Sequence, residues 1–206
     1  YHAVGTLNPV IAATDAQAIP HAGGGLVLGE GAGMLVMERA DFASERGARP
    51  YGFVRAVTVT GGAAAMGHYE QDGVQMLRCM QRAVRQSGLA RAAIEHVSCS
   101  ANFSGELERV EYATLRQFFE GQRQKLRVTP LKYLMGDFGG AGVTRAAAIL
   151  LSFRHQTPLP ALEVEALRQN GQVPLQWDQP ATTKPGNALM LSASFGGGSS
   201  CIILEA

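Results

Sequence analysis

The feature that most constrains the fold of this chain is a helix-length stretch, residues 139–153, with almost no polar side. Its apolar residues follow one another around the whole helix: Ala141, Ala146, Ala147, Ala148, Ile149, Leu150 and Leu151. A helix that is apolar all round is buried on every side. We therefore expect this helix to be covered completely, by other parts of the chain or by a partner.

The bulk composition predicts one folded domain with a large interface. At 206 residues the chain has the usual length of a single domain. Hydrophobic residues make up 46% of it and charged residues only 17%, which leaves few charges for a solvent-facing surface. The formal net charge is +1, so no global field favours nucleic acid or an anionic membrane. We expect neither as a partner.

The three cysteines indicate a reducing compartment. Cys79, Cys99 and Cys201 are odd in number and lack metal-ligand spacing, so we expect free thiols, no disulfide and no metal. No run approaches the roughly 20 apolar residues of a membrane span, and no secretion signal opens the chain. The expected location is the cytoplasm. Because the chain opens at Tyr1 and not at a methionine, we expect a cut or truncated precursor.

Several segments have the residue pattern of β-strands. Residues 26–37 are apolar on both alternating faces, which predicts a central strand buried between two layers. Residues 51–60 are rich in β-branched side chains, and residues 94–101 predict a short strand. Two more strands are predicted within residues 188–204, joined by the loop 194–199.

Other segments have the pattern of helices, so the predicted class is α/β. Residues 41–47 predict a short helix, and residues 72–87 a longer amphipathic one. The stripe expected to be buried on the longer helix consists of Val74, Leu77, Met80 and Val84. Ser104 is expected to cap a third helix. The buried stripe of that helix would be Leu107, Val110, Thr114 and Phe118. Residues 161–187 predict a turn-rich excursion.

Three glycine-containing segments carry a resemblance to a known family. Residues 25–33 (GLVLGEGAG) are close to a family strand that reads GFVLGEGAG. Residues 128–142 (VTPLKYLMGDFGGAG) resemble its STKSMTGHLLGAAG segment, with Lys132 and Gly136 in matching places. Residues 194–198 (SFGGG) resemble its NSFGFGG loop. In this order, the segments resemble the C-terminal half of the β-ketoacyl-acyl-carrier-protein synthases, which belong to the thiolase-like superfamily.

The resemblance implies an architecture. The fold would be α/β, the C-terminal half of the five-layer αβαβα thiolase-like fold, with the helix at 139–153 in its middle layer. Residues 1–206 would form one β-ketoacyl synthase C-terminal-like domain. Residues 1–7 resemble the segment some distance after the family's nucleophilic cysteine. That cysteine and the N-terminal half are therefore expected on a separate or cleaved chain.

The resemblance also implies which catalytic groups are missing. Condensation needs a thiolate and donors, usually two histidines, that stabilise the enolate and oxyanion. Ser100 occupies the first histidine position, in a segment matched to NAHGTST, and Asp137 occupies the second. An aspartate would repel a developing enolate. Lys132 matches the family's lysine, and we favour its pairing with Asp137 over its orienting a carboxylate or a main chain. Cys99 is interpreted as a packing residue and not as a nucleophile.

The candidate pocket or gate loop consists of Phe195, Gly196, Gly197 and Gly198. By the resemblance, Gly197 stands where the family has a phenylalanine that gates the acyl pocket. The loop is either a tight glycine turn between two strands or the lining of a pocket or interface, and the sequence leaves both open.

Neither the histidines nor the basic residues predict a further site. The histidines lie outside both motifs and are interpreted as surface or structural residues: His2, His21, His68, His96 and His155. Basic residues that could meet an acidic acyl carrier protein, although a solvated surface is the commoner reason for them, are Arg78, Arg82, Arg85, Arg123, Lys125 and Arg127.

Family members that keep the fold but lose the catalytic residues are the chain-length factors of type II polyketide synthases. The resemblance to them implies a non-catalytic subunit that pairs with a ketosynthase and helps set the length of a malonyl-derived chain. The implied partners are the ketosynthase subunit, the N-terminal half and, through the complex, acyl carrier protein. No cofactor is expected on this chain, because acyl-phosphopantetheine would arrive on the carrier protein.

Two alternatives remain open at this point. The first is a divergent active β-ketoacyl synthase or thiolase acyltransferase, although Ser194 stands where thiolases place a catalytic cysteine. The second is a purely structural interaction subunit.

Overall fold

Strands and helices alternate along the parts of the chain that the structure, a computed structural model, describes: residues 25–121, 126–159 and 186–206. In chain order the elements are α1 (Ala40–Glu45), β1 (Phe53–Thr60), α2 (Val74–Ser87), β2 (His96–Ser98), α3 (Gly105–Phe118), β3 (Arg127–Thr129), α4 (Lys132–Met135), α5 (Ala141–His155), β4 (Asn187–Ala193) and β5 (Ser199–Glu205). The α/β prediction is confirmed. The predicted turn-rich excursion and residues 1–7 lie largely or wholly outside the described residues.

The strands form one mixed sheet in the order β1-β5-β4-β2-β3. β3, β2 and β4 are parallel to one another, whereas β5 runs antiparallel to both β4 and β1. The β4–β5 pair joined by a short loop is the hairpin that the sequence predicts. Because β2, β3 and β4 are parallel, the chain leaves all three at the same edge of the sheet.

One face of the sheet, here called the closed face, is covered by α2 and α3. Leu189, Leu191, Cys201 and Ile203 point to this face and pack against both helices in the larger hydrophobic core. Every second residue of β4 and β5 takes part, as the alternation of side chains along a strand requires. This layer therefore holds most of the apolar core of the described residues.

The buried side of α2 differs from the predicted stripe. Of the four predicted residues only Met80 is fully buried, while Val74 at the start of the helix is exposed. The side that faces the sheet carries Met76, Cys79, Met80, Ala83 and Ser87. Helix α2 has two adjacent stripes of apolar residues. Packing against β1 and β5 buries the stripe whose side chains are smaller and more flexible.

Helix α3 is confirmed, and the four residues of its predicted stripe are buried. Ser104 occupies the position before its first turn, but its hydroxyl makes no capping hydrogen bond. Glu108 reaches back instead, and its carboxylate accepts the backbone N–H of Phe103 at 2.8 Å. The prediction that Ser104 caps the helix is therefore right in position and wrong in mechanism.

The opposite face, here called the open face, is covered only in part by α5. Ile149 and Phe153 of α5 pack on Ala188, Met190 and Leu204 in a second, smaller cluster. The other side of α5 is not covered by the described residues. Leu151 there is 47% exposed. The described residues by themselves therefore cover this helix only in part, and the expectation that a partner covers the rest stays a prediction.

The predicted central strand at residues 26–37 is also wrong. Leu28 forms a single parallel bridge with Asp137, and residues 29–39 are in neither a strand nor a helix. Met34 and Val36 are 88% and 93% exposed. A strand that is apolar on both faces needs neighbours on both sides, and the described elements do not supply them. No helix of the described chain is long and apolar enough to span a membrane.

Candidate functional site

The candidate site lies at the carboxyl edge of the three parallel strands. The loop after β2 carries Ser100 and Asn102, the segment after β3 carries Lys132 and Asp137, and the loop after β4 carries Phe195. Ligand sites of α/β sheets occur at this edge, because loops from neighbouring strands converge there. The fold therefore brings together residues that are far apart in the sequence.

Lys132 and Asp137 form an ion pair in this site. The Lys132 Nζ lies 2.9 Å from each oxygen of the Asp137 carboxylate. The lysine side chain is 8% exposed and the aspartate 21%, so the pair is largely shielded from solvent. Burial lowers the pKa of Lys132, and the Asp137 carboxylate opposes that shift. The predicted structural pairing of these two residues is thus present.

Asn102 holds the same carboxylate from the other side. Its Nδ2 donates to Asp137 Oδ2 at 2.8 Å and lies 3.1 Å from the Tyr69 hydroxyl. Its Oδ1 accepts the backbone N–H of Ser104 at 3.1 Å, which fixes the orientation of the amide. Neither Asn102 nor Tyr69 was singled out from the sequence. Asn102 lies within the segment matched to the NAHGTST motif, and that was the one signal for it.

The glycine-rich segment that begins at Gly25 holds the Asp137 backbone in place. The N–H of Asp137 donates to Val27 O at 2.8 Å, and the N–H of Gly29 donates to Asp137 O at 3.1 Å. At this crossing a Cβ on Gly29 would collide with the carbonyl oxygen of Met135. A Cβ on Gly136, whose φ is +73°, would collide with the backbone of Gly29. Glycine is required here by close approach of two backbones.

Ser100 is buried beneath the site, where it makes hydrogen bonds within the fold. Its Oγ accepts the backbone N–H of Ala193 at 3.0 Å, and its own N–H donates to Glu111 Oε1. Burial raises the pKa of Glu111 to about 7, against the opposing effects of the Ser100 N–H and of nearby Arg145 and Lys132. Ser100 therefore takes part in the connection between β2, β4 and α3.

Arg145 of α5 is the largest buried charged residue below the site. Its guanidinium donates to Ser98 Oγ and Ser98 O at 3.1 and 2.7 Å, to Leu191 O at 2.6 Å and to Ser192 Oγ at 3.1 Å. These bonds connect α5 to the ends of β2 and β4. Asp137 and Glu111 are the nearby carboxyl groups that favour its charge. Sequence reasoning took this helix as apolar and missed Arg145.

The gate loop is a tight turn that packs against a second loop. Gly196 and Gly197 both have φ of +84°, and the Gly196 N–H donates to His68 O at 3.0 Å. The ring of Phe195 lies against that of Tyr69, with centroids 4.7 Å apart. The loop is therefore a glycine turn whose Phe195 contacts Tyr69, and its role in lining a pocket or interface stays a prediction.

Cys99 has the properties of a packing residue. Its side chain is fully buried, and burial, together with the charge of Glu111, raises the pKa of its thiol. A thiol that stays protonated is a poor nucleophile. All three cysteines of the chain are buried and free. Among the described residues, no group of histidine, cysteine and carboxylate side chains lies close enough to hold a metal ion.

The histidines and the basic residues are spread over the molecule. His96 is buried in β2 beside Thr129 Oγ1 at 3.1 Å, and burial lowers its pKa to about 3. His68 lies 3.3 Å from Glu106 on the surface. His155 is exposed at the end of α5, and His2 and His21 lie outside the described residues. Among the basic residues, Arg127 donates to Leu159 O. Those exposed on α2 are Arg78, Arg82 and Arg85, and those outside the described residues are Arg123 and Lys125.

The family follows from a comparison with known sequences. Residues 51–165, more than half of the chain, match the family model described as "Beta-ketoacyl synthase, C-terminal domain". The chain belongs to the β-ketoacyl synthase family through this domain. The resemblance that the three glycine-containing segments carry is thereby confirmed.

Individual relatives are longer than this chain. It is 30% identical, over 142 residues, to "3-oxoacyl-[acyl-carrier-protein] synthase II, chloroplastic" of Arabidopsis thaliana, covering 68% of this chain and 26% of that protein. It is 26% identical to "Granaticin polyketide putative beta-ketoacyl synthase 1" of Streptomyces violaceoruber, covering 88% and 43%. The chain thus spans less than half the length of these curated relatives.

A solved structure with the same fold is "The ishigamide ketosynthase/chain length factor". It superposes with a TM-score of 0.74 at 20% identity, over 96% of this chain and 49% of that one. At this identity the likeness shows the fold alone. The predicted fold class, the C-terminal half of a thiolase-like ketosynthase fold, is confirmed.

The polar groups at the carboxyl edge are hydrogen-bonded to one another. They are an ammonium, a carboxylate, an amide and a phenol. A general base or oxyanion donor must keep a free bond for the substrate. The Asp137 carboxylate already accepts bonds from Lys132 and Asn102 and offers an incoming thioester only negative charge.

Proposed function

We propose that this chain is part of a non-catalytic, chain-length-factor-type subunit that pairs with a ketosynthase in type II polyketide elongation. The observation that carries the proposal is the Asp137 carboxylate, which follows Gly136 at the second family histidine position and is paired with Lys132. The ishigamide neighbour, a ketosynthase/chain length factor, has the same fold.

The charge of Asp137 opposes the condensation step. Loss of carbon dioxide from a malonyl group leaves an enolate, whose developing negative charge needs hydrogen-bond donors. A carboxylate has no proton to donate when it is ionised, and it repels a second negative charge. The first family histidine position is matched by Ser100, which is fully buried in the described chain, so its hydroxyl is not open to an incoming substrate.

The open face supports a partner of the same fold. On this face Val57 and Val59 of β1 are 54% and 66% exposed, and Leu151 projects from the outer side of α5. The apolar segment at residues 34–37 is exposed as well. Exposed apolar surface of this extent is typical of a protein interface. An N-terminal half of the same fold, on a separate or cleaved chain, would cover it.

The ketosynthase would then carry out the chemistry. It would hold the growing chain on its cysteine and receive malonyl units as acyl-phosphopantetheine on acyl carrier protein. In this proposal the present chain needs no cofactor of its own, and its contribution is to shape the space into which the acyl chain grows.

Native mass spectrometry tests the assembly. The chain is purified with its gene neighbours, and denaturing spectra identify each component. Recovery with an N-terminal half and a cysteine-bearing ketosynthase supports the proposal. A stable, lone monomer contradicts both the partner and the function.

The contact between the gate loop and Tyr69 gives a test of chain-length control. Phe195→Ala removes a ring that lies against Tyr69, and Phe42→Ala, on the exposed helix α1, is the matched control. A changed product length with the first variant only supports the chain-length role. Unchanged products with both would support the purely structural subunit.

The names of the curated relatives favour a second candidate, a divergent active β-ketoacyl synthase or thiolase acyltransferase. Both relatives described above are synthases by name. In that case the complex would still decarboxylate malonyl groups after the partner's cysteine is replaced. Replacing Asp137 with alanine would then remove the residual activity if this chain supplied it.

A further inference from the structure

We propose that Lys132 and Asn102 form a carboxylate-binding site that the chain's own Asp137 fills from within. Two donors on separate loops converge on one carboxylate: Lys132 Nζ at 2.9 Å and Asn102 Nδ2 at 2.8 Å. Nothing in the sequence pattern pointed to Asn102 as a ligand. The site is a place for a carboxylate of any origin, and Asp137 is its present occupant.

Asn102 is held by contacts that do not involve Asp137, and Lys132 is buried in α4, so the site should persist when that carboxylate is removed. Asn102 is fixed by the Ser104 N–H at its Oδ1. Tyr69, beside the amide, is held against the gate loop by its ring contact with Phe195. Lys132 belongs to α4 and is buried. Preorganised donors of this kind lose little entropy on binding an anion.

The balance of buried charge also favours an anion at this position. Lys132 and Arg145 are the cations, and their electrostatic partners are Glu111 and Asp137. Without the Asp137 carboxylate, two cations would face a single carboxyl group. An external carboxylate would restore the balance, as the original side chain does.

If the proposed function holds, occupation of the site by Asp137 affects the binding of malonyl groups. The carboxylate of a malonyl group that approached this edge would meet Asp137 in place of free donors. It would therefore be excluded by charge, and malonyl units would be directed to the ketosynthase. The self-filled site would thus be a contact that keeps this subunit inactive.

Chemical rescue of Asp137→Ala tests the site in the full chain as it purifies. The substitution removes the carboxylate and leaves space beside Lys132 and Asn102. Thermal unfolding is followed at pH 7.5 in sodium acetate, or in sodium chloride of the same ionic strength. We expect acetate to raise the Tm of Asp137→Ala saturably, by about 3 °C or more, and to leave the wild-type Tm as it is in chloride.

Two control variants separate the site from general salt effects. Lys132→Met in the Asp137→Ala background removes one donor and should abolish the acetate response. Glu38→Ala removes a carboxylate from an exposed pair with Arg46, whose Nε and Nη2 lie 2.7 to 3.0 Å from it. That variant should show no saturable response, because its donors are open to water.

The proposal is overturned if acetate and chloride act alike on Asp137→Ala, or if Glu38→Ala responds as strongly. If Asp137→Ala folds in acetate but not in chloride, that difference also counts as rescue of the variant by acetate.

A second experiment uses the wild-type protein and needs no variant. Acetylation of Lys132 by an activated ester should be far slower than in the urea-unfolded chain, and equal rates contradict the pairing. These results do not depend on a ketosynthase partner, so a failure here is distinct from a failure of the proposed function.

Discussion

The two faces of the sheet are built differently. On the closed face, α2 and α3 cover β1, β5 and β4 and form a core with alternate residues of those strands. On the open face, α5 packs on a few residues of β4 and β5 and is tied to the strand ends by Arg145. Val57 and Val59, on the open side of β1, remain exposed.

The difference shows which part of this chain is complete in itself. The closed face has the apolar burial that stabilises an independent domain. The open face carries residues of the same character with no described element over them. Apolar residues on a face that the described elements leave uncovered favour burial in a larger assembly, which is the reason for proposing a second half of the fold.

The largest expected effect is on that assembly. Leu151→Asp together with Val57→Asp places two carboxylates in the apolar open face, where an unpaired buried charge costs several kcal/mol. We expect binding of the partner to weaken by about a thousandfold in a titration followed by light scattering or calorimetry. Gln81→Asp, on the exposed side of α2, should leave it unchanged. Equal binding by all variants would mean that the open face is not the interface.

Truncation of one leucine on each face sharpens the contrast within the chain. Leu115→Ala opens a cavity in the closed-face core and should lower the free energy of unfolding by about 2–5 kcal/mol. Leu151→Ala removes an exposed side chain and should change it by less than about 0.5 kcal/mol. Urea unfolding of the isolated chain measures both. Comparable losses would show that the open face is covered in solution by this chain itself.

The pH dependence of stability tests Glu111, which lies on α3 beneath the site. Its pKa is about 7 in the folded protein, above the ordinary value of 4.5, because burial disfavours its charge. The folded state therefore keeps a proton that the unfolded chain releases, and stability falls as the pH rises from 4.5 to 7, by up to about 3 kcal/mol. Glu111→Gln, which keeps an acceptor for the Ser100 N–H, should remove this slope in urea titrations at pH 5 and 8. An unchanged slope would place the titrating group elsewhere.

The smallest expected effect concerns the thiols. All three cysteines belong to the closed-face core. Burial raises the pKa of Cys99 and of Cys201. We expect no reaction with a thiol reagent until urea unfolds the chain, and then three equivalents. Fast labelling of any cysteine in the native protein would contradict the burial of these thiols in the closed-face core.

Local patterns were enough to predict most of the elements. The strand at residues 51–60, the helix from 104 to 118 and the β4–β5 hairpin appear where periodicity and turn residues place them. The strand at residues 26–37 failed because a strand exists only with neighbours that pair with it, and pairing is not a property of the segment. The buried side of α2 was predicted one stripe away from the observed one. Two adjacent stripes of this helix are apolar, and only packing against the strands decides which of them is buried.

The site was predicted in part. Lys132 and Asp137 could be found because they stand five residues apart in one recognisable motif. Asn102, Tyr69 and Arg145 could not, because their importance comes from contacts with residues between 33 and 47 positions away. Such contacts leave no periodicity behind.

By itself the sequence determined the α/β class and the family, and it predicted Ser100 and Asp137 at the two family histidine positions. These features are local, since each depends on residue identity within a short motif. Only the tertiary structure decided that Asp137 is held by Lys132 and Asn102, that Arg145 lies buried beneath it, and that one face of the sheet stays open. The physical reason is that hydrogen bonds, ion pairs and burial depend on which loops converge at the sheet edge, and that convergence is created by the fold.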